Sequence, residues 1–556
     1  MNFIAKSPLC GLFVSASAIF CFSHVATAQT QTERIALYCK VWGFLKYHHP
    51  NVAGGTIDWD SVFIAHVRGA TSTKDKIQFN NELTELIMTA GAIADPQIAR
   101  LSGDIFTKNH DLRWLQNSSI LNKENRNKLL FIYTHRNRGN NRFAKFNNYT
   151  DYSGEKAYDE MTWPTAEYRL LFLARFWNAI NYYDPYKFIT AENWNNVLTR
   201  FIPKLRNVKD TAAYYKILLQ LAVALHDGHA QLYGRDDIWG KYLLPFYTTV
   251  LGDTVVITHI DDAGRCAKAG IRQGDLLVAI NNEQIAKRIA RFKPYISSSN
   301  SSSLNRGLMY TLLRTTDTTE RVTIKRGAKT FTAAISSIPA SKRNWQYQNN
   351  YTVNDKGYEM IGKSIIKVYT DQSWGKNADT IKALMRTKRA IIFDSRSYMD
   401  DDAFYSIFDM FLPGPTPIDI ETKIMPDEPG YFKWVLSPKV GSVNPHPYSG
   451  TVIILADERC QSQGEYTVMT LQTIPHSVTI GSQTGGLDGA VSFIPMGGKL
   501  GITHSGYGIY YPDKTPTQQR GVRIDIQVKK SARNIIRDED PALHEALKYL
   551  NTKDIR

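Results

Sequence analysis

The chain has 556 residues, more than one hydrophobic core accommodates, so several domains are expected. Hydrophobic residues make up 43% and charged residues 21%, which excludes large-scale disorder. The net charge of +15 suits an anionic partner, but no RNA- or DNA-binding motif accompanies it, so nucleic acid is not an expected partner.

Residues 1–28 are predicted to be a signal peptide. Lys6 supplies a basic start, residues 8–22 are apolar or small, and Ala26-Thr27-Ala28 offers small residues where a signal peptidase reads. The alternative is an uncleaved anchor. An exported protein, periplasmic or extracellular after cleavage, is expected, and no later apolar run is long enough to cross a bilayer. Cys10 and Cys21 fall inside the leader, leaving Cys39, Cys266 and Cys460. This odd, unclustered set argues against a disulfide framework and a zinc-thiolate site, with one bridge left open.

Two related helical units are predicted at 29–100 and 161–238. WGFLKYHHP at 42–50 matches WNAINYYDP at 177–185, and a second tryptophan follows each, Trp59 and Trp194, at the same spacing. Each copy opens with apolar residues at three- and four-residue steps and ends at a proline. These aromatics read as core. The intervening segment 101–160 reads as a basic linker. Its Lys123, Arg126, Lys128, Arg136, Arg138, Arg142 and Lys145 stand against the single acid Glu124 between residues 121 and 150. That stretch either forms a solvated surface or meets an anionic envelope surface. The second unit ends differently from the first, in Leu225-His226-Asp227-Gly228-His229-Ala230, which puts His229 in a loop past a helix.

Residues 239–340 read as a β-rich module, with VVITHI and LLVAIN as strands. Between them, Ala269-Gly270-Ile271-Arg272-Gln273-Gly274-Asp275 resembles the PDZ domains of exported proteases. That resemblance implies binding of an extended peptide by strand addition, with substrate-binding backbone at Ala269, Gly270 and Ile271 receiving a terminal carboxylate. The alternative is a β module that only spaces its neighbours.

Residues 357–550 alternate strands (SIIKVY, AIIFDS, TVIILAD) with helices (DTIKALMR, GEYTVMTLQT), which predicts an α/β domain with a largely parallel sheet. Ser462 sits where TVIILAD turns into a helix, a geometry that presents a hydroxyl beside free helix-start amides. Glu465, three residues on, makes an N-capping box the competing reading of Ser462. The run Asp400, Asp401, Asp402 carries no partner motif, and no metal site is assigned to it.

DER-x-x-S-x-GEY, then IGSQTGG, then GYGIYYPDKTPTQQRGVRIDIQV resemble peptidase family S41, the C-terminal processing peptidases and the tricorn protease core. The resemblance implies a serine peptidase acting on unfolded protein or peptide substrates without a cofactor. It makes Ser462 the nucleophile and the Gln463 amide an oxyanion donor. One branch of the family activates its serine with a lysine on a Thr-x-Gly-Lys turn, but here that turn is Thr484-Gly485-Gly486-Leu487. The tricorn-like branch uses a histidine in a Ser-His-Ala motif, which His229 matches with Gly228 in place of the serine. Gln518 stands where the family has an orienting glutamate, and Met399 where a glycine turn supplies the other oxyanion amide. These departures keep an alternative in view: a catalytically impaired peptide-binding or scaffolding relative. The expected fold class is multidomain α+β and α/β, with a duplicated helical N-terminal region, a PDZ-like module and a C-terminal peptidase domain.

Overall fold

The computed structural model describes residues 13–73, 75–93, 101–190, 192–235, 237–344, 354–371, 374–398 and 402–553. Residues 1–12 of the expected leader lie outside these, and the remainder runs into helix α1 (Phe13–His48). Among the described residues no helix is long and apolar enough to cross a membrane.

Helices α2 (Trp59–Ser72) and α3 (Lys76–Thr89) follow α1. Further on, α4 (Lys123–Thr134) is followed by α5 (Ala166–Tyr183), α6 (Trp194–Asn207) and α7 (Thr211–Val223). The two tryptophan pairs are built alike. Each indole N–H of Trp42 and Trp59 donates to the other's carbonyl at 3.0 Å. Trp177 and Trp194 do the same at 2.8 and 3.0 Å. The N-caps correspond as well: Asp58 and Asn193 open the helices at the second tryptophans, and Asp75 and Asp210 open the next ones. Helices α1 and α5 cross where Gly43 meets Asn178. A Cβ on Gly43 would lie 1.9 Å from the Asn178 Cγ, so only glycine fits. All these aromatics are buried in one core, as their periodicity predicts.

Residues 101–160 do not form a free connector. Leu112, Leu115, Leu121, Leu129 and Ile132 are buried in the helical core, and Ile105–Phe106 pairs antiparallel with Phe432–Lys433. Some of the basic charge is spent internally. Arg136 binds the buried Glu428, and Arg126 donates to the carbonyls of Leu115 and Ser118. Charge at this spacing does not distinguish a solvated linker from an amphipathic segment whose apolar side faces inward.

Strand β1 (Leu232–Tyr233) leads into a sheet formed by β2 (Phe246–Leu251), β3 (Thr254–Ile260), β4 (Leu276–Ile280), β5 (Thr319–Arg326) and β6 (Lys329–Ser336). Their order is β6-β5-β4-β3-β2, antiparallel throughout, around its own apolar cluster. Helices α8 (Ala263–Lys268), α9 (Ile285–Phe292) and α10 (Ser301–Thr311) accompany it.

The next sheet contains β7 (Tyr358–Ile361), β8 (Ile365–Tyr369), β9 (Ala390–Asp394), β10 (Thr451–Ala456), β11 (Val478–Gly481) and, last in the chain, β14 (Ile526–Gln527). β7 is antiparallel and every other pairing is parallel. Side chains alternate between two buried faces, the reason these strands read as continuous apolar runs. Ile391 and Phe393 face a cluster with Trp374 and Val468, whereas Ile392 and Ile453 face Ala542 and Leu550. Helix α11 (Gln463–Leu471) follows β10. Two strands that precede β14, β12 (Val491–Gly497) and β13 (Leu500–Ser505), leave this domain as an antiparallel hairpin, and β13 pairs with β1. Their Ile494, Met496, Leu500 and Ile502 are buried in the helical core. This hairpin joins the loop carrying His229 to the α/β domain. Cys39, Cys266 and Cys460 are buried free thiols, so the one possible bridge is not formed.

Candidate active site

Strand β10 leaves the sheet at Ala456, and the chain turns through 457–461 into α11. Ser462 has φ +49° and ψ −125°. That conformation, the first corner of a type II′ turn, belongs to glycine, and a β-carbon there costs about 1–3 kcal/mol. The Ser462 N–H donates to the Leu487 carbonyl at 2.7 Å, which holds the turn. Its hydroxyl makes no capping bond. Among the described residues nothing accepts the Gln463 N–H, the first amide of the helix. The capping-box reading is therefore wrong, because Glu465 points elsewhere. Its buried carboxyl accepts from the Thr484 hydroxyl and, at 2.8 Å each, from the amides of Gly486 and Leu487. Burial pushes the Glu465 carboxyl up to about 7. Glu465 thus ties down the turn whose Leu487 carbonyl positions Ser462.

The second part comes from the end of α7. His226 has φ +55°, and the chain reverses there into Asp227-Gly228-His229-Ala230. Asp227 Oδ1 accepts the His229 N–H at 2.9 Å, a local turn that aspartate favours. Asp227 Oδ2 accepts both the backbone N–H and the hydroxyl of Ser505 at 2.9 Å. The Ser505 Oγ lies 3.1 Å from His229 Nδ1. Asp227, His229 and Ser505 are all buried. Burial pulls the His229 imidazole below the usual histidine range; nearby Asp227 raises it and His504 lowers it further.

Residues 363–528, the strands and turns just described, match the family model of peptidase family S41. This domain belongs to peptidase family S41. No curated protein matches the chain. Mature CPAF complexed with lactacystin is similar in fold at 13% identity, covering 69% of this chain and 97% of CPAF with a TM-score of 0.53. A second structure of mature CPAF gives 13%, 67%, 94% and 0.51. At that identity the likeness is one of fold.

The S41 domain and the histidine loop meet at Leu487. Its carbonyl holds Ser462, and its side chain fills the space beside Gly228, where a Cβ would lie 2.9 Å from Leu487 Cδ2. Gly228 is not in the left-handed region, so its neighbour and not its backbone requires glycine. The serine that the family resemblance implies at this position has no room. Gly228→Ala is expected to lose about 1–2 kcal/mol by overpacking, measured by urea denaturation of the full chain.

The β-rich module braces both sides. Ser297 Oγ donates to the Asp227 carbonyl at 2.7 Å, and the Gly228 N–H donates to Ser299 Oγ at 2.8 Å. On the other side Asn300 Nδ2 donates to the Thr484 carbonyl at 2.9 Å, and Ser302 Oγ to the Gln483 carbonyl at 2.8 Å. A cavity of about 700 Å³ opens where the three parts converge, bordered by Gly228, Gln231, Trp239, Tyr310, Gln461 and Leu487.

Other expected site residues fall elsewhere. Gln518 is buried, but its amide nitrogen and oxygen have no hydrogen-bond partner among the described residues, so it does not hold His229 or Ser462. Met399 lies outside the described residues, as do Asp400 and Asp401. The amides of Ala269, Gly270 and Ile271 donate to the carbonyls of Arg265, Ala267 and Cys266. The Gly270 carbonyl is held by Arg326, and the side chains of Ala269 and Ile271 belong to the module's core. That segment closes α8 and has no amide left for a substrate carboxylate. Sequence reasoning passed over Asp227 and Ser505. Aspartate two residues before His229 was the available signal; Ser505, in THSGYG, offered none.

Proposed function

We propose that the chain is an exported serine peptidase that hydrolyses peptide bonds of protein or peptide substrates. The observation that carries this reading is Ser462 itself: a serine held in a glycine conformation, its hydroxyl uncapped and the next amide unspent. Strain of this kind concentrates at functional sites. The His229 Nδ1 faces Ser505, which leaves Nε2 to take the Ser462 proton as Oγ attacks the substrate carbonyl. The Gln463 N–H stabilises the oxyanion, and His229 then protonates the leaving amine.

Burial keeps the imidazole neutral, and so able to act as a base, below the usual histidine range near 6.5. The activity is therefore expected to persist as pH falls through 6.5 and to decline only lower, as His229 becomes charged. A kcat/KM profile from pH 4.5 to 8 checks this, and a midpoint at or above 6.5 contradicts it.

The helical region fits two copies of one unit, and the β-rich module fits a PDZ-like peptide-gripping role, though not through residues 269–271. Exposed Lys123, Arg138, Arg142 and Lys145 suit an anionic envelope surface. The Gln518 amide, without a partner among the described residues, favours a second reading, a peptide-binding relative without turnover. Hydrolysis of labelled casein by the mature chain and by Ser462→Ala separates the two. Cleavage by the first alone establishes the peptidase. Cleavage by neither, with no labelling of Ser462 by a fluorophosphonate, establishes the binding protein.

A further inference from the structure

The donors around His229 can be counted. The Asp227 carboxylate only accepts, and it takes three bonds: the His229 N–H at Oδ1, and the Ser505 N–H and hydroxyl at Oδ2. A serine hydroxyl has one hydrogen, and here it is committed to Asp227. The remaining contact, 3.1 Å between Ser505 Oγ and His229 Nδ1, then has Nδ1 as the donor. The proton sits on Nδ1 and the lone pair on Nε2, the atom a general base needs.

We propose that Asp227, acting through the Ser505 hydroxyl, is the positioning residue that sets the tautomer and orientation of His229, a task that Gln518 does not perform. This rests on the reading of His229 as the base. The backbone bond from His229 to Asp227 fixes the loop, and the relay through Ser505 fixes the ring. When His229 accepts the Ser462 proton, its charge faces a carboxylate one hydroxyl away. The chain Asp227–Ser505–His229 spans two parts of the fold, the end of α7 and the end of β13. The hairpin buried in the helical core therefore has a direct chemical consequence at the base. His504, beside Ser505, is itself held by Asp184 and Tyr152 and does not compete for the ring.

The test uses the full mature chain with ¹⁵N-labelled histidine. Wild type is expected to show neutral His229 protonated at Nδ1. In Asp227→Asn the carboxamide NH₂ donates to Ser505 Oγ, the hydroxyl turns to Nδ1, and the proton moves to Nε2. In Ser505→Ala the Nδ1 preference disappears, and in Ser505→Thr it returns. Losing the acid of a catalytic triad costs about 10⁴ in kcat through the wrong tautomer, and this relayed case is expected to cost about 10²–10⁴ in kcat, with KM within about threefold. Ser505→Thr is expected to recover kcat to within about tenfold of wild type. A His229 tautomer unchanged in both Asp227→Asn and Ser505→Ala overturns the proposal. If Asp227→Asn does not fold, Ser505→Ala and Ser505→Thr decide alone. A tautomer that follows Asp227 in a chain that hydrolyses nothing upholds the relay and overturns the peptidase reading. Ser462-dependent hydrolysis with a tautomer indifferent to Asp227 does the reverse.

Discussion

Ser462→Gly is expected to be more stable than wild type while losing nearly all hydrolysis. The φ and ψ at Ser462, +49° and −125°, cost a β-carbon about 1–3 kcal/mol, and glycine removes that strain. Glycine also gains freedom in the unfolded chain, about 0.5–1 kcal/mol, so the net gain is about 1 kcal/mol. Ser462→Ala keeps the strain and is expected to match wild type in stability. Both lose the nucleophile. In serine peptidases that loss costs about 10⁶ in kcat, with a residue of catalysis left from oxyanion binding. Urea denaturation and casein hydrolysis on the three proteins check both halves. Equal stability of the Gly and Ala variants would show that the turn is not strained, and would remove the main structural support for Ser462 as a nucleophile.

The second large effect is expected at Glu465. Its carboxyl accepts from Thr484, Gly486 and Leu487, and Leu487 in turn holds the Ser462 N–H. Glu465→Ala leaves three buried donors unpaired, each costing about 1–3 kcal/mol before relaxation, so a loss of at least about 3 kcal/mol is expected. Freed of its anchor, the 484–487 turn no longer fixes Ser462, and kcat is expected to fall about 10²-fold. The pH dependence has a definite sign. Folding raises this carboxyl from 4.5 to about 7, so the folded state binds the proton more readily than the unfolded chain. The favourable contribution is fully present below pH 4.5 and is lost as pH rises through 7. Wild type is therefore expected to weaken relative to Glu465→Gln across that window, as read from urea midpoints at pH 4.5 and 8.

The proposed site draws on three parts of the chain at once. The S41 domain contributes Ser462 and the Gln463 amide, the end of α7 contributes His229, and residues 297–302 of the β-rich module tie the two together. A change that shifts the module against either side acts on the segments that carry both Ser462 and His229.

Much of this was written in local pattern. Apolar runs at 364–369, 390–394 and 451–456 predicted buried parallel strands because both faces of such a sheet are covered. The paired tryptophans predicted matched helical elements, since their spacing and their capping residues are local. Ser462 and His229 stand out in the sequence because each sits on a short motif. What the sequence could not decide was how chemistry separated by hundreds of residues is joined. Gln518 was expected to orient the base or nucleophile by its place in a motif, yet its amide bonds to nothing described, while Ser505, 278 positions beyond Asp227, donates its hydroxyl to that carboxylate. Residues 269–271 looked like a carboxylate cradle, but whether a backbone amide is free depends on how the preceding helix ends. Glu465 looked like a cap because caps are defined by spacing, and only the return of the 484–487 turn shows where its carboxyl goes. Sequence determines which groups can donate, accept and pack within a few residues of one another; which donors are left over after the fold has used the rest is decided only in three dimensions, because most buried polar groups find their partners there.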